Sequence, residues 1–344
     1  MSNYDFLTPR QRQKHLFIVE GQHEKDKLFR FMFNCFPEID IRIDDVIIYG
    51  TNIYHLHQDI INEHGQNWTN EDVDLPYIVS TKIGSGETYH KRDFSNILLI
   101  FDYERHDPLF SANIIADMQR YFCDVAGNGQ LYLNYPMVEA YQDLHTLPDI
   151  GYQNRRVAVS LQPGHKYKNQ VKKTSAITNI VDFPDYLDTQ LEKSFGVHDA
   201  ELRANLVNNL LLIHSTNNLL QEITQRLTAT PAIQMSPSAP HYFAKLVSNM
   251  SYADLGKTFY EYARDIMCQI IFHNIRKASY IQTGNYSFPD NQIRPCFNQL
   301  DMNAILNVQN SSSANAATGS IWVLGTAVLF VPEYNFDLLN TPPI

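Results

Sequence analysis

Two short apolar runs, each ending abruptly in a carboxylate, constrain the fold of this chain more than any other feature. Residues 16–19 (Leu-Phe-Ile-Val) lead directly into Glu20, and residues 97–101 (Ile-Leu-Leu-Ile-Phe) lead into Asp102. Apolar runs of this length, bounded by charge or glycine, predict strands that are buried on both faces of a parallel sheet. Such sheets bind ligands beyond the carboxyl ends of their strands. The sequence therefore predicts a ligand site at one edge of a parallel sheet.

The first part of the chain alternates predicted strands and helices. Strands are predicted at residues 15–19, 46–49, 97–101 and 131–135, and helices at residues 23–36, 53–63, 111–125 and 137–144. Strands that alternate with helices indicate an α/β domain whose parallel strands are joined by right-handed crossovers. Residues 64–94 are polar, and we expect them to form an irregular insertion or a mobile loop.

The pattern changes after about residue 150. A chain of 344 residues predicts two domains. We expect residues 1–150 to form the metal-binding catalytic domain. Long helical periodicities at 199–227 and 252–275 predict that residues 151–344 are mainly helical and serve in dimerisation, partner docking or substrate binding. Residues 155–173 contain six Lys and Arg residues and no acid, which makes this segment locally basic.

Composition narrows the class of protein. The formal net charge of −10 argues against a general non-specific nucleic-acid binder, although it allows a local basic surface. The chain begins without a secretory pattern and has no apolar run long enough to span a bilayer, so we expect a cytoplasmic protein without membrane contact. The four cysteines are far apart, which argues against a thiolate zinc site and predicts buried free thiols.

Acidic residues follow several of the predicted strands. They are Glu20, Glu24, Asp102, Glu104 and Glu139. In a parallel sheet these carboxylates would converge on one edge, with Asp102 and Glu104 on the same face if their strand continues. Carboxylates gathered in this way suit a hard divalent cation such as Mg²⁺, with Mn²⁺ as the substitute. One or two such ions can promote cleavage of a phosphodiester, with an unligated carboxylate as general base.

Lysines in the basic segment could complete such a site. Lys166 or Lys168 would neutralise charge on the transition state, because this segment directly follows the predicted sheet domain. The predicted catalytic residues are therefore Glu20, Glu24, Lys166 and Lys168.

Each of these features also has an ordinary structural explanation. An acid after a strand often caps the following helix, and Glu139 in a first turn complements the helix dipole. A basic run is commonly a solvated loop. His55 and His57 lie two apart on a predicted helix, and we expect both at the surface. His106 could supply an acid or a further ligand, although an ordinary loop position explains it better. The aromatic residues of the C-terminal helices are expected in the core.

Three short motifs resemble the TOPRIM domain of bacterial primases, topoisomerases and OLD-family nucleases. Residues 17–21 (Phe-Ile-Val-Glu-Gly), followed by Glu24, are similar to its apolar strand ending in Glu-Gly. Residues 100–104 (Ile-Phe-Asp-Tyr-Glu) hold the place of its Asp-x-Asp strand end, with Glu replacing the second Asp. Residues 135–139 (Tyr-Pro-Met-Val-Glu) resemble the Pro-x-x-Glu segment of TOPRIM-like nucleases from bacterial defence loci. The resemblance covers about residues 14–150.

The resemblance implies a fold and an activity. It implies a Rossmann-like TOPRIM sheet and Mg²⁺- or Mn²⁺-dependent phosphodiester cleavage, with Glu20 as metal ligand or general acid/base and Asp102 and Glu104 as ligands. Glu139 matches the further acid of the defence nucleases, and we include it in the ligand set. The Glu at position 104 lengthens the ligand arm by one methylene, which leaves one metal or two open.

The resemblance also implies partners. The chain has no Gly-x-x-x-x-Gly-Lys-Ser/Thr phosphate loop, so it resembles the small TOPRIM subunits that work with a separate ATPase in anti-phage defence. The expected substrate is DNA or RNA, including structured RNA such as tRNA, and a homo-oligomer is expected. A catalytically idle TOPRIM scaffold that binds an ATPase or nucleic acid is the alternative. A third reading is an unrelated doubly wound protein that binds a phospho-ligand or accepts a phosphoryl group at Asp102.

Overall fold

A computed structural model describes residues 14–84, 86–228 and 236–339. It contains a five-stranded sheet in the order β2-β1-β3-β5-β4. The strands are β1 (His15–Val19), β2 (Val46–Ile48), β3 (Asn96–Asp102), β4 (Cys123–Asp124) and β5 (Gly129–Asn134). The pairs β1–β2, β1–β3 and β3–β5 are parallel, which confirms the predicted α/β class. The short edge strand β4 is antiparallel to β5 and was not predicted.

The helices between these strands agree with the sequence in part. A π-helical turn (Glu24–Phe29) leads into α1 (Arg30–Cys35), and α2 (Ile53–His64), α3 (Leu75–Ile83) and α4 (Ala112–Tyr121) follow. The cap predicted at Ser111 is present, since its side chain accepts a hydrogen bond from the backbone N–H of Ile114.

Two predictions of local structure are wrong. Residues 64–94 contain α3, which begins with Asp74 as its cap and a proline in its first turn. The predicted helix at 137–144 is a single 3₁₀ turn (Val138–Gln142), which follows a cis peptide bond between Tyr135 and Pro136. The polar residues on either side of α3 masked its short apolar run, which includes Leu75, Ile78 and Val79. The second element is short because the backbone leaves the helical conformation at Asp143.

The remainder of the chain is mainly helical, as predicted. Its elements are β6 (Arg156–Ala158), α5 (His165–Thr174), α6 (Thr178–Val181), α7 (Phe183–Phe195), α8 (Ala200–Leu211), α9 (Leu219–Thr228), α10 (Ala239–Asn249), α11 (Phe259–Thr283), α12 (Ile293–Phe297), α13 (Met302–Ser312), β7 (Ser320–Trp322) and α14 (Phe330–Asn335). The periodicity at 199–227 is divided between α8 and α9. The connector predicted at 228–240 lies partly outside the described residues.

Apolar side chains cover both faces of the sheet. Phe17 and Val19 of β1 face one core, and Leu16 and Ile18 face the other, as the alternation along a strand requires. Residues from the C-terminal part contribute to both cores. On the first face, the rings of Phe17 and Phe330 lie 5.0 Å apart at a steep angle. The aromatic residues predicted in the C-terminal core are buried there, among them Phe243, Tyr252 and Phe259.

The C-terminal segment, residues 324–327, also forms hydrogen bonds with the end of β5. Tyr135 and Leu324 exchange two backbone hydrogen bonds, of 2.9 and 2.8 Å. The hydroxyl of Thr326 donates to the carbonyl of Leu133 at 2.7 Å, and the backbone N–H of Ala327 donates to Oδ1 of Asn134 at 3.2 Å. Residues before and after position 150 share a packed core. The division of the chain into two domains near residue 150 stays a prediction.

Three smaller expectations can be compared with the structure. His57 is buried and packs edge-on against Trp68, so its predicted surface position is wrong. Cys35 and Cys268 are buried as predicted, whereas Cys123 is exposed on the edge strand. Within the described ranges, no helix is both long and apolar enough to cross a membrane.

Candidate active site

The acids that follow β1 and β3 meet at the carboxyl edge of the sheet. The backbone N–H of Glu20 donates to the carbonyl of Ile100 at 3.2 Å, which continues the pairing of the two strands by one residue. The backbone N–H of Asp102 then donates to Oε2 of Glu20, also at 3.2 Å. A carboxylate from one strand end therefore touches the residue that ends its neighbour.

Glu24 supports the turn that follows Glu20. Its Oε2 accepts a hydrogen bond of 2.9 Å from the backbone N–H of Gly21, and its side chain is buried. A Cβ atom at Gly21 would lie 3.2 Å from the same oxygen, so glycine leaves room for this close approach. The sequence predicted a catalytic role for Glu24; its contact is with the backbone that positions Glu20.

Glu139 joins the cluster from the 3₁₀ turn after β5. Its side chain is buried, and Oε1 lies 3.4 Å from Nζ of Lys168 and 3.5 Å from Nε2 of His23. Lys168 reaches this position from α5, where Lys166 is exposed. The structure thus brings one of the two predicted catalytic lysines to the acids.

Several polar atoms in the cluster lack a hydrogen bond. Asp102 is 1% exposed and Glu139 is 5% exposed. Oδ1 of Asp102 and Oε2 of Glu139 have no hydrogen-bond partner in the described part of the chain, and the same holds for Nδ2 of Asn134, which pairs with Asp102 across β3 and β5. Buried polar atoms are normally satisfied, so unpaired atoms of this kind call for an explanation, such as a catalytic role or a bound ion or water.

Glu104 approaches the site in a different way from the one predicted. Strand β3 ends at Asp102, and Glu104 has a positive φ of 37°, so the chain turns and the two acids do not share a face by strand alternation. This conformation is uncommon for a residue with a side chain and occurs often at functional sites. Nδ2 of Asn52, the cap of α2, lies 3.4 Å from Oε2 of Glu104 and donates to Asp107 at 2.7 Å.

The electrostatics reflect this crowding of negative charge. Burial and the carboxylates of Glu104 and Glu24 raise the pKa of Glu20 to about 8. Burial is also the main reason that the pKa values of Glu24 and Asp102 are raised. Burial alone would lower the pKa of Lys168, but the surrounding carboxylates outweigh it and raise that pKa.

The carboxylates of this cluster are of the chemical type that binds a divalent cation, but their side chains are not arranged as a coordination shell. Buried carboxylate oxygens without partners are the ligands that Mg²⁺ and Mn²⁺ prefer, and a cation would relieve the repulsion that raises their pKa values. As the side chains stand, no group of three or more His, Cys, Asp and Glu residues among those described is arranged to hold a metal ion. Binding would therefore need side-chain rotation, and the metal remains a proposal.

Sequence reasoning missed three residues around the acids. His23 lies beside Glu139, Asn134 ends β5 as Asp102 ends β3, and Asn52 holds the loop that carries Glu104. Asn134 could have been found, because it ends an apolar run at the same edge. His106, considered as a possible ligand, is exposed. It lies near the start of α5, since a Cβ atom placed on Gly164 would be 3.5 Å from Nε2 of His106.

Comparison of the chain with models of protein families, with curated proteins and with solved structures finds no match.

Proposed function

We propose that this protein is a divalent-metal-dependent nuclease that hydrolyses phosphodiesters at the carboxyl edge of its sheet. The observation that carries the proposal is the contact between the Glu20 carboxylate and the backbone of Asp102, beside buried oxygens of Asp102 and Glu139 that lack partners among the described residues. The acids that follow β1, β3 and β5 thus lie at one edge of the sheet, and Lys168 lies beside one of them, Glu139. The resemblance to TOPRIM nucleases points to the same chemistry.

In this proposal, Glu20, Asp102 and Glu139 hold the cation, with Glu104 as a further ligand on the loop after β3. The bound cation would position a water molecule and offset the charge of the phosphate. Glu20 is either a ligand or the group that accepts the proton of that water, because its carboxylate lies at the centre of the acids. Lys168 supplies a fixed positive charge that stabilises the transition state.

The other readings make different demands on the same residues. A phosphoacceptor needs an accessible aspartate, and Asp102 is almost fully buried, so this reading has less support. A catalytically idle scaffold keeps the fold and the cluster, and only an assay separates it from the nuclease. A partner ATPase, a homo-oligomeric assembly, a cytoplasmic location and a role in anti-phage defence remain expectations from the sequence and its resemblance.

Cleavage assays test the proposal. The full chain would be incubated with plasmid DNA and with total tRNA, in the presence of Mg²⁺ or Mn²⁺ and with a chelator as the blank. We expect cleavage that falls at least about 100-fold in Glu20→Gln and Asp102→Asn, as for loss of a group that stabilises the transition state. Glu201→Gln, which removes an exposed carboxylate on α8, is the matched control and should cleave as the wild type does.

The lysines provide a second comparison. Lys168→Ala should lose most of the activity, whereas Lys193→Ala, an exposed lysine on α7, should retain it. Cleavage that persists unchanged in Glu20→Gln would identify a contaminating nuclease and remove the proposal. Wild-type protein that binds the cation but cleaves neither substrate would favour the scaffold.

A further inference from the structure

His23 is a polar residue of the cluster to which the nuclease proposal gives no role. It follows Glu20 by three residues and directly precedes the π-helical turn Glu24–Phe29. Turns of this kind are rare and are frequently found at functional sites. Nε2 of His23 lies 3.5 Å from Oε1 of Glu139.

An ordinary ion pair does not explain this position. A distance of 3.5 Å is longer than a well-formed hydrogen bond, and Nε2 makes no hydrogen bond within the described ranges of the chain. Nε2 of an imidazole can coordinate a metal ion when no hydrogen bond occupies it. Oε2 of Glu139 is likewise unpaired. Two potential ligands therefore lie close together without a hydrogen bond between them, and Oε1 of Glu139 also lies 3.4 Å from Nζ of Lys168.

The spacing of these atoms suits a shared ion. Metal–nitrogen and metal–oxygen bonds of about 2.1 Å, at an angle between about 90° and 110°, separate two ligand atoms by roughly 3.0 to 3.5 Å. Nε2 of His23 and Oε1 of Glu139 already have this separation. Asp102, whose pKa is raised by burial and in part by the charge of Glu139, is a source of a further ligand after side-chain rotation.

We propose that His23 ligates the catalytic cation through Nε2, so that the site binds Mn²⁺ in preference to Mg²⁺. This inference rests on the proposed function, since it concerns the same cation. Imidazole nitrogen suits first-row transition metals, whereas Mg²⁺ prefers a shell of oxygen atoms alone. An all-carboxylate site would not discriminate in this way.

The test measures binding and ligation rather than cleavage. Metal-free full-length protein would be titrated with Mn²⁺ and with Mg²⁺ by calorimetry, and the Mn²⁺ complex would be studied by pulsed electron paramagnetic resonance, which detects a directly bonded nitrogen. We expect the wild type to bind Mn²⁺ at least about 10-fold more tightly than Mg²⁺, and to show nitrogen coupling. His23→Ala should lose the coupling and about 10-fold in Mn²⁺ affinity, with Mg²⁺ affinity within about 2-fold of wild type.

Controls separate this inference from the nuclease proposal. His198→Ala removes an exposed histidine and should leave both affinities and the nitrogen signal unchanged. His23→Gln, which keeps a polar side chain, is measured beside the alanine variant in case the latter does not fold. A Mn²⁺ complex without nitrogen coupling, or one whose coupling survives in His23→Gln, would overturn the assignment of His23 while leaving the acidic site intact. Wild-type protein that binds neither cation would overturn both proposals.

Discussion

Burial and the carboxylates of Glu104 and Glu24 raise the pKa of Glu20 from an ordinary value of 4.5 to about 8. Between these two values the folded protein holds a proton on Glu20 that the unfolded chain has released. The folded state binds more protons, so the stability of the metal-free protein falls as pH rises through this range. Glu24 and Asp102 have raised pKa values and act in the same direction.

Replacing Glu20 with glutamine should remove its part of this pH dependence. In the presence of a chelator, we expect the melting temperature of the wild type to fall between about pH 5 and pH 8, and Glu20→Gln to be at least about 3 °C more stable than the wild type at the upper end. Differential scanning calorimetry would measure this, with Glu201→Gln as the control that follows the wild type. If the melting temperatures of Glu20→Gln and the wild type change with pH in parallel, then ionisation of Glu20 does not destabilise the folded protein.

At the scale of elements, α5 links the acids to a basic surface. This helix (His165–Thr174) buries Tyr167 and Val171 and contains no acid. The hydroxyl of Tyr167 donates to Oδ2 of Asp143 at 3.0 Å in the interior, which anchors the helix beside the turn that carries Glu139. Lys168 faces Glu139, while Lys172 and Lys173 are exposed at the end of the helix. The exposed lysines offer contacts to a phosphate backbone next to the candidate active site.

Exchanging these two lysines for glutamate should weaken nucleic-acid binding without changing the site. For the double variant Lys172→Glu/Lys173→Glu, we expect the slope of log affinity against log salt to become shallower by about 1 to 2, because each phosphate contact contributes about 0.7 to 0.9. Fluorescence anisotropy with labelled DNA and RNA over a salt series would measure this. Lys193→Glu on α7 is the matched control. An unchanged slope would place the substrate on another surface.

The sequence predicts the sheet well because its signal is local. Strands β1 and β3 are apolar runs that lead into a carboxylate, and the structure pairs them in parallel, so that Glu20 and Asp102 meet at one edge. Features that depend on distant residues are less accessible. The positive φ of Glu104 breaks the expected strand. Helix α3 has a cap and a short apolar run, but the polar residues on both sides of it dominate the composition of residues 64–94. The position of His23 beside Glu139 depends on the fold of two separate segments.

For the whole molecule, the C-terminal segment helps to fix the geometry of the candidate site. Residues 324–327 form hydrogen bonds with the end of β5. Gly325 packs against the backbone of Tyr141 in the 3₁₀ turn that carries Glu139. The backbone N–H of Gly325 also donates to Oδ1 of the buried Asn274 at 2.9 Å. A residue 186 positions after Glu139 therefore packs against the turn that carries this acid.

Gly325→Ala tests this coupling between the C-terminal segment and the site. A Cβ atom there would lie 2.7 Å from Cβ and 2.8 Å from N of Tyr141, so the turn has to move. We expect a loss of about 1 to 3 kcal/mol in the free energy of unfolding, as for overpacking elsewhere, and weaker Mn²⁺ binding at temperatures where the protein is still folded. Lys193→Ala, which changes an exposed side chain on α7, is the control. Urea denaturation and calorimetry measure the two effects. A variant that loses stability but binds Mn²⁺ as the wild type does would show that Glu139 is positioned independently of the C-terminal segment.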